Sequence, residues 1–200
     1  MRSSVRPRDR WGVRSLPARV VRRPPSRLVC APASRRRRRR ADLRLLPQHG
    51  VTTFAPRDPA FESRVRASFD KQKFMATLGA HLTHVAPGEV DIEVAAREAL
   101  VQQHGFLHAG VLASAADSAC GYAALSLMPA GAAVLSIEFK INMLAPAAGE
   151  RVVARGRIVR AGRTVTVCSG EVVSYSGASE KLVATMTATM MTVQDRGFSD

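Results

Sequence analysis

Asp117 stands about two turns into a run of small apolar residues, 109–128, that has no proline until Pro129. That is too deep for a helix cap, and an unpaired buried carboxylate is costly. The residue therefore reads either as a general base or nucleophile, or as a structural acid paired with a buried polar group. At the head of the same run stand His108, Ala109 and Gly110. The first N–H groups of a helix have no intrahelical partner and sit at the positive end of its dipole. His108 alone would be a helix-start histidine bonded to nearby backbone. Gln102 and Gln103 would be loop amides, Ser136 a strand hydroxyl, and Arg160 and Arg163 two solvated residues beside Gly162. His104 and His108 are four apart, but Gly105 interrupts any helix between them and no acidic third ligand is evident, which argues against a metal pair. Cys120 reads as a small packing residue. No phosphate loop, dinucleotide fingerprint or serine nucleophile elbow is found.

The elements that must position these residues follow from hydrophobic period and turn chemistry. Asp58-Pro59 is a helix start. Phe61, Val65 and Phe69 form one apolar stripe, so a helix is expected to about residue 78, where Gly79 ends it. Residues 80–86 and 89–95 make a hairpin about Pro87-Gly88, with Val90, Ile92 and Val94 on one face. A loop then leads to His108. The run 109–128 is a helix of about five turns, apolar nearly all round and hence buried. Four strands follow, at 133–144, 150–160, 164–175 and 181–193. In the first, Leu135, Ile137, Phe139, Ile141 and Met143 alternate with Ser136, Glu138, Lys140 and Asn142. An α+β fold, an antiparallel sheet curled around one central helix with a short helix before it, satisfies this order.

Three blocks carry a resemblance: 102–110 (QQHGFLHAG) with 116–119 (ADSA), 135–147 (LSIEFKINMLAPA), and 160–164 (RAGRT). With the element order, they are similar to the PaaI-type acyl-CoA thioesterases, a branch of the 4-hydroxybenzoyl-CoA thioesterase-like hotdog superfamily. One departure is that the family commonly has His-Gly-Gly where this chain has His108-Ala109-Gly110. Only a backbone N–H is required at the middle position, so alanine should serve.

The resemblance implies roles. Asp117 would activate water or attack the thioester carbonyl. The N–H of Ala109, helped by Gly110, would face the thioester oxygen. His108 would position the loop or the thioester, and Gln102, with Gln103 as the adjacent candidate, would hold the water or thioester. Ser136 would lie on a strand at a dimer interface and reach the partner subunit's site. Asn142 would line the substrate channel, and Arg160 and Arg163 would meet coenzyme A phosphates. No metal or redox cofactor is needed. The expected protein is a cytoplasmic acyl-CoA thioesterase, a homodimer or homotetramer with its site between subunits. The apolar residues facing the helix suggest a medium or long fatty acyl chain, or an aryl-acyl group. The rivals are a non-catalytic acyl-CoA-binding hotdog protein and a hotdog dehydratase or hydratase.

Charge separates this domain from what precedes it. Residues 1–50 hold sixteen arginines, no lysine and only Asp9 and Asp42 as acids, which accounts for the whole formal charge of +14. The expected organisation is an Arg/Pro-rich disordered tail at 1–54, a hotdog domain at 55–193 and a short tail at 194–200. The basic segment is consistent with nucleic-acid or lipid binding, an organelle transit peptide, or upstream reading frame from a GC-rich genome. Its near lack of aromatic residues argues against base stacking. No stretch has the apolar length of a membrane span, and no apolar core of a secretory signal is seen. Three unclustered cysteines fit a reducing compartment.

Overall fold

The computed structural model describes residues 54–194. The expectations for the basic segment and for the last six residues fall outside them. Two short helices come first, α1 (Phe61–Lys71) and α2 (Lys73–Leu78). Strands β1 (Ala80–Ala86) and β2 (Glu89–Ala95) follow, then a 3-10 turn at Glu98–Leu100 and the helix α3 (Ala109–Leu125). The chain ends with β3 (Ala133–Met143), β4 (Arg151–Ala161), β5 (Val165–Ser176) and β6 (Ser179–Val193). All six strands form one antiparallel sheet in the order β1-β2-β4-β5-β6-β3. α3 packs on one face of that sheet, which is the expected hotdog architecture.

The expected first helix is two. Continuing the Val65–Phe69 stripe at helical spacing would turn Lys73 and Ala76 inward. Gln72 instead adopts an extended backbone (φ −75°, ψ 94°). The break re-registers the chain, and Met75 and Leu78 become the buried residues of α2. Gly79, with φ 65°, ends α2 as expected. At the other end, Asp58 acts slightly earlier than expected: its Oδ1 accepts the Ala60 N–H at 2.9 Å, and α1 proper begins at Phe61.

α3 is built to lie close to the sheet. Ala115, Ala116, Ala119, Cys120 and Ala123 are fully buried. Beneath them Gly156 of β4 pairs with Gly170 of β5. A Cβ on Gly156 would lie 2.3 Å from the Ala119 carbonyl group, so only glycine lets the helix backbone approach this far. α1 is fastened to the far end of α3 by Arg64. Its guanidinium donates to the carbonyls of Leu125 (3.2 Å), Met128 (2.8 Å) and Pro129 (3.0 Å), and it pairs with Asp58 at 3.0 Å. A cation there meets the negative end of the helix dipole.

β3 is the sheet edge and carries a bulge. Ser136 pairs with Met190 but Glu138 pairs with Thr189, so Ile137 is the extra residue. Simple alternation would set Ser136 against Phe139 and Ile141. The bulge reverses the faces: Ser136 pairs with inward Met190, Phe139 with inward Ala188 and Ile141 with inward Met186.

Candidate active site

α3 carries both chemical groups, and each sits in its own cavity. At the N-terminus, the loop 101–108 is held by Gln102 N–H to Phe106 O (2.8 Å), Leu107 N–H to Ala147 O (3.0 Å) and His108 N–H to Leu100 O (2.9 Å). These bonds fix where α3 starts. His108 is its N-cap: the imidazole Nδ1 accepts the Gly110 N–H at 2.9 Å. This corrects the expectation for Gly110, whose N–H is already engaged and is not open to a ligand. Gly110 serves by having no Cβ, which would stand 3.0 Å from His108 Nδ1. With Nδ1 accepting, a neutral His108 carries its proton on Nε2. The Ala109 N–H has no partner among the described residues. Gln102 Oε1 accepts the His104 N–H at 2.9 Å, which leaves its NH2 group as the part that can meet a ligand oxygen. Gln102, Gln103, His108 and Ala109 share a cavity of about 600 Å³ with Phe106, Leu107, Leu112 and the segment 143–147.

Asp117 faces a different space. The half-buried carboxylate accepts a hydrogen bond from Ser136 Oγ at 2.7 Å on Oδ1. Burial holds the carboxyl above the usual carboxylate range, and the Ser136 bond pulls it partway back. The cavity here is about 240 Å³ and is lined by Ser68, Lys71 and Gln72 from the α1–α2 region, Ser118, Gly121 and Tyr122 from α3, and Val134 and Ser136 from β3. The two cavities share no lining residue. Ala109 and Asp117 are eight positions apart on α3, so their backbones are separated by about 12 Å along the axis. One thioester carbon cannot lie within attack distance of Asp117 and beside the Ala109 N–H of the same chain.

The remaining candidates divide. Ser136 meets Asp117 of its own chain, so the two act as one unit. Asn142 pairs with Thr185, between the inward Ala184 and Met186. It therefore faces away from α3 of its own chain. Arg160 and Arg163 are exposed near the tip of the β4–β5 hairpin. Ala161 and Gly162 of that hairpin border Ala124, Leu127 and Met128, at the far end of α3 from Ala109. One chain thus does not bring the arginines to the His108 cavity. Cys120 is fully buried as expected, and Cys168, first by its hydrogen bond and then with burial, pushes its thiol up. It is not a poised nucleophile.

Comparison with known proteins matches residues 104–181 to the thioesterase superfamily. A thioesterase family protein from Silicibacter pomeroyi is 48% identical, with a TM-score of 0.66, over 67% of this chain and 98% of its own. The chain belongs to the thioesterase superfamily, in its PaaI-type hotdog branch. A candidate thioesterase of Ralstonia eutropha, described as related to phenylacetic acid degradation, is 28% identical with a TM-score of 0.58, over 66% of this chain and 98% of its own. The Escherichia coli PaaI protein, at 22% identity and a TM-score of 0.60, shares the fold over 66% of this chain and 93% of its own. Membership makes this thioesterase a hydrolase and implies a thioester substrate on coenzyme A and, typically, an oligomer. Among the described residues no helix is long and apolar enough to cross a membrane. The matched segment holds α3, Asp117, Ser136 and both hairpin arginines; α1, α2, Gln102 and Gln103 lie before it. Lys71 and Gln72, which border the Asp117 cavity, were missed by sequence reading. Nothing in Lys71-Gln72-Lys73 signals a helix break.

Proposed function

We propose that the protein hydrolyses acyl-CoA thioesters to the free acid and coenzyme A, with Asp117 as general base or nucleophile. The observation that carries this reading is the Asp117–Ser136 pair: a half-buried carboxylate, oriented by one hydroxyl, at the wall of a cavity. The bond to Oδ1 leaves Oδ2 for a water or for the carbonyl carbon. As base, Asp117 takes a proton from water while the hydroxide adds to the thioester carbon. As nucleophile, it adds directly, and water then cleaves the mixed anhydride. In both routes the carbonyl oxygen gains negative charge, the C–S bond breaks, and the thiolate leaves to be protonated. The Ala109 N–H, at the positive end of α3, and the Gln102 NH2 group supply the donors for that oxygen.

The acid and the donors lie too far apart to meet in one chain, so the site forms between two. A second copy would set its Asp117 and Ser136 against the first copy's Gln102, His108 and Ala109. It would also carry Arg160 and Arg163 toward the phosphates of the bound coenzyme A. Support comes from β3, an edge strand that among the described residues pairs only with β6 and exposes Leu135, Ile137, Phe139 and Met143.

The test is thiol release from an acyl-CoA panel, from acetyl to palmitoyl with phenylacetyl included, by the wild type and Asp117→Asn. A fall in kcat of about a hundredfold or more in the variant is expected. Full activity in the variant would remove Asp117 from the mechanism. No activity in either protein would leave a non-catalytic acyl-CoA-binding protein or a dehydratase as the better reading.

A further inference from the structure

The two cavities differ in size and chemistry, and the difference bears on which acyl group is taken. It rests on the reading of Asp117 as the acid of a thioesterase. The thioester carbon must lie at Asp117, so one substituent of that carbon enters the cavity beside it. The coenzyme A arm is long and needs an extended route to solvent. The larger cleft beside Phe106, Leu107 and the segment 143–147, about 600 Å³, is suited to that arm. The acyl group is left with the 240 Å³ cavity. That cavity is walled largely by hydrogen-bonding side chains: Ser68, Lys71, Gln72, Ser118, Tyr122 and Ser136. A plain alkyl chain entering it would displace water from Lys71 and Gln72 without replacing the lost bonds, which is costly. Lys71 and Gln72 are themselves solvent-exposed, and among the described residues the Lys71 amine and the Gln72 side-chain amide meet no protein hydrogen-bond partner, so both can turn to a ligand oxygen. Lys71 is the last residue of α1 and Gln72 is the break itself, a part of the chain outside the segment matched to the superfamily.

We infer that Lys71 and Gln72 are specificity-determining residues, and that they select a short acyl group with an oxygen substituent at its far end. The shared chemistry is an oxygen acceptor within reach of an ammonium and an amide. A hydroxyl and a carboxylate both supply it, and the two side chains separate them. An ammonium favours the carboxylate by charge; an amide serves either.

The experiment measures kcat/KM for pentanoyl-, 5-hydroxypentanoyl- and glutaryl-CoA, which have equal carbon number, and for octanoyl- and decanoyl-CoA. The full chain is compared with Lys71→Met and Gln72→Leu. The wild type is expected to prefer at least one oxygenated substrate over pentanoyl-CoA by about tenfold. Lys71→Met is expected to collapse that ratio for glutaryl-CoA, and Gln72→Leu to collapse it for the hydroxyl substrate. The ratio is the readout because general damage to the fold lowers all substrates together. Pentanoyl-CoA turned over as well as its oxygenated partners, rates rising steadily with alkyl length, or ratios unchanged in both variants would each overturn the assignment while leaving the thioesterase reading intact. Failure to cleave any thioester would overturn that reading instead, and this one with it.

Discussion

At the scale of single residues, the backbone donor at Ala109 is open to direct test. Ala109 is the first helical residue of α3, and His108 before it is extended, with φ −63° and ψ 140°. Proline is accepted at a first helical position and requires just such an extended residue before it. Ala109→Pro therefore deletes the N–H while α3 keeps its start and His108 keeps its bond to Gly110. The expected result is a loss of kcat of about a hundredfold to a thousandfold with the far-ultraviolet circular dichroism unchanged. An unaffected rate would show that the oxyanion is held elsewhere. Asp117 gives a second test, through pH. Its folded carboxyl sits above the ordinary range because of burial. The folded chain thus binds that proton more tightly than the unfolded chain. Stability is full below the ordinary carboxylate value and falls as pH rises through the raised one. Activity runs the opposite way, since the base must be ionised to act. Asp117→Asn is expected to be more stable than the wild type at neutral pH, with the gap closing toward acid. Urea midpoints of both proteins at about pH 4 and about pH 7 measure it. A gap that does not depend on pH would mean Asp117 titrates as an ordinary surface acid.

At the scale of elements, the placement of α1 rests on one side chain. Arg64 donates to four carbonyls at and beyond the end of α3, those of Leu125, Met128, Pro129 and Ala132, and pairs with Asp58. Arg64→Ala removes all of these bonds and leaves the Asp58 carboxylate without its cation. A loss of about 3 kcal/mol is expected, read as a lower urea midpoint with unchanged slope. Arg64→Lys should recover little, because one ammonium cannot span the same set of acceptors. A change within experimental error would mean that α1 is held by Val65 and Phe69 alone. The same elements show where the sequence was readable. The run 109–128 announced a buried helix because it is apolar nearly all round, though α3 stops at Leu125, and Asp117 stood out as the carboxylate inside it. Gly79 announced the end of α2. The break at Gln72 gave no sign, because Lys-Gln-Lys suits a helix and the cause is the demand of Met75 and Leu78 for the core. The bulge at Ile137 was equally silent, since unbroken alternation from Leu135 to Met143 fits a regular strand. That bulge is what turns Ser136 toward Asp117. The face that Asn142 takes was hidden for the same reason: only its pairing with Thr185 shows it.

At the scale of the whole molecule, the question is whether one chain holds a complete site. Local patterns could name the acid and the donors but not the distance between them. That distance follows from both being on one straight helix. The prediction is complementation. A chain with Ala109→Pro keeps a sound Asp117, and a chain with Asp117→Asn keeps a sound Ala109 N–H. Each alone should be nearly inactive. In a mixed dimer, one of the two interfacial sites joins the sound Asp117 of one chain to the sound donor of the other, while the second site carries both lesions. Random pairing makes half of all dimers mixed, so co-expressed chains should recover about one quarter of the wild-type activity. Mixed activity no greater than the sum of the two variants alone would place the working site within a single chain. It would also leave the apolar edge of β3 without the role given to it here.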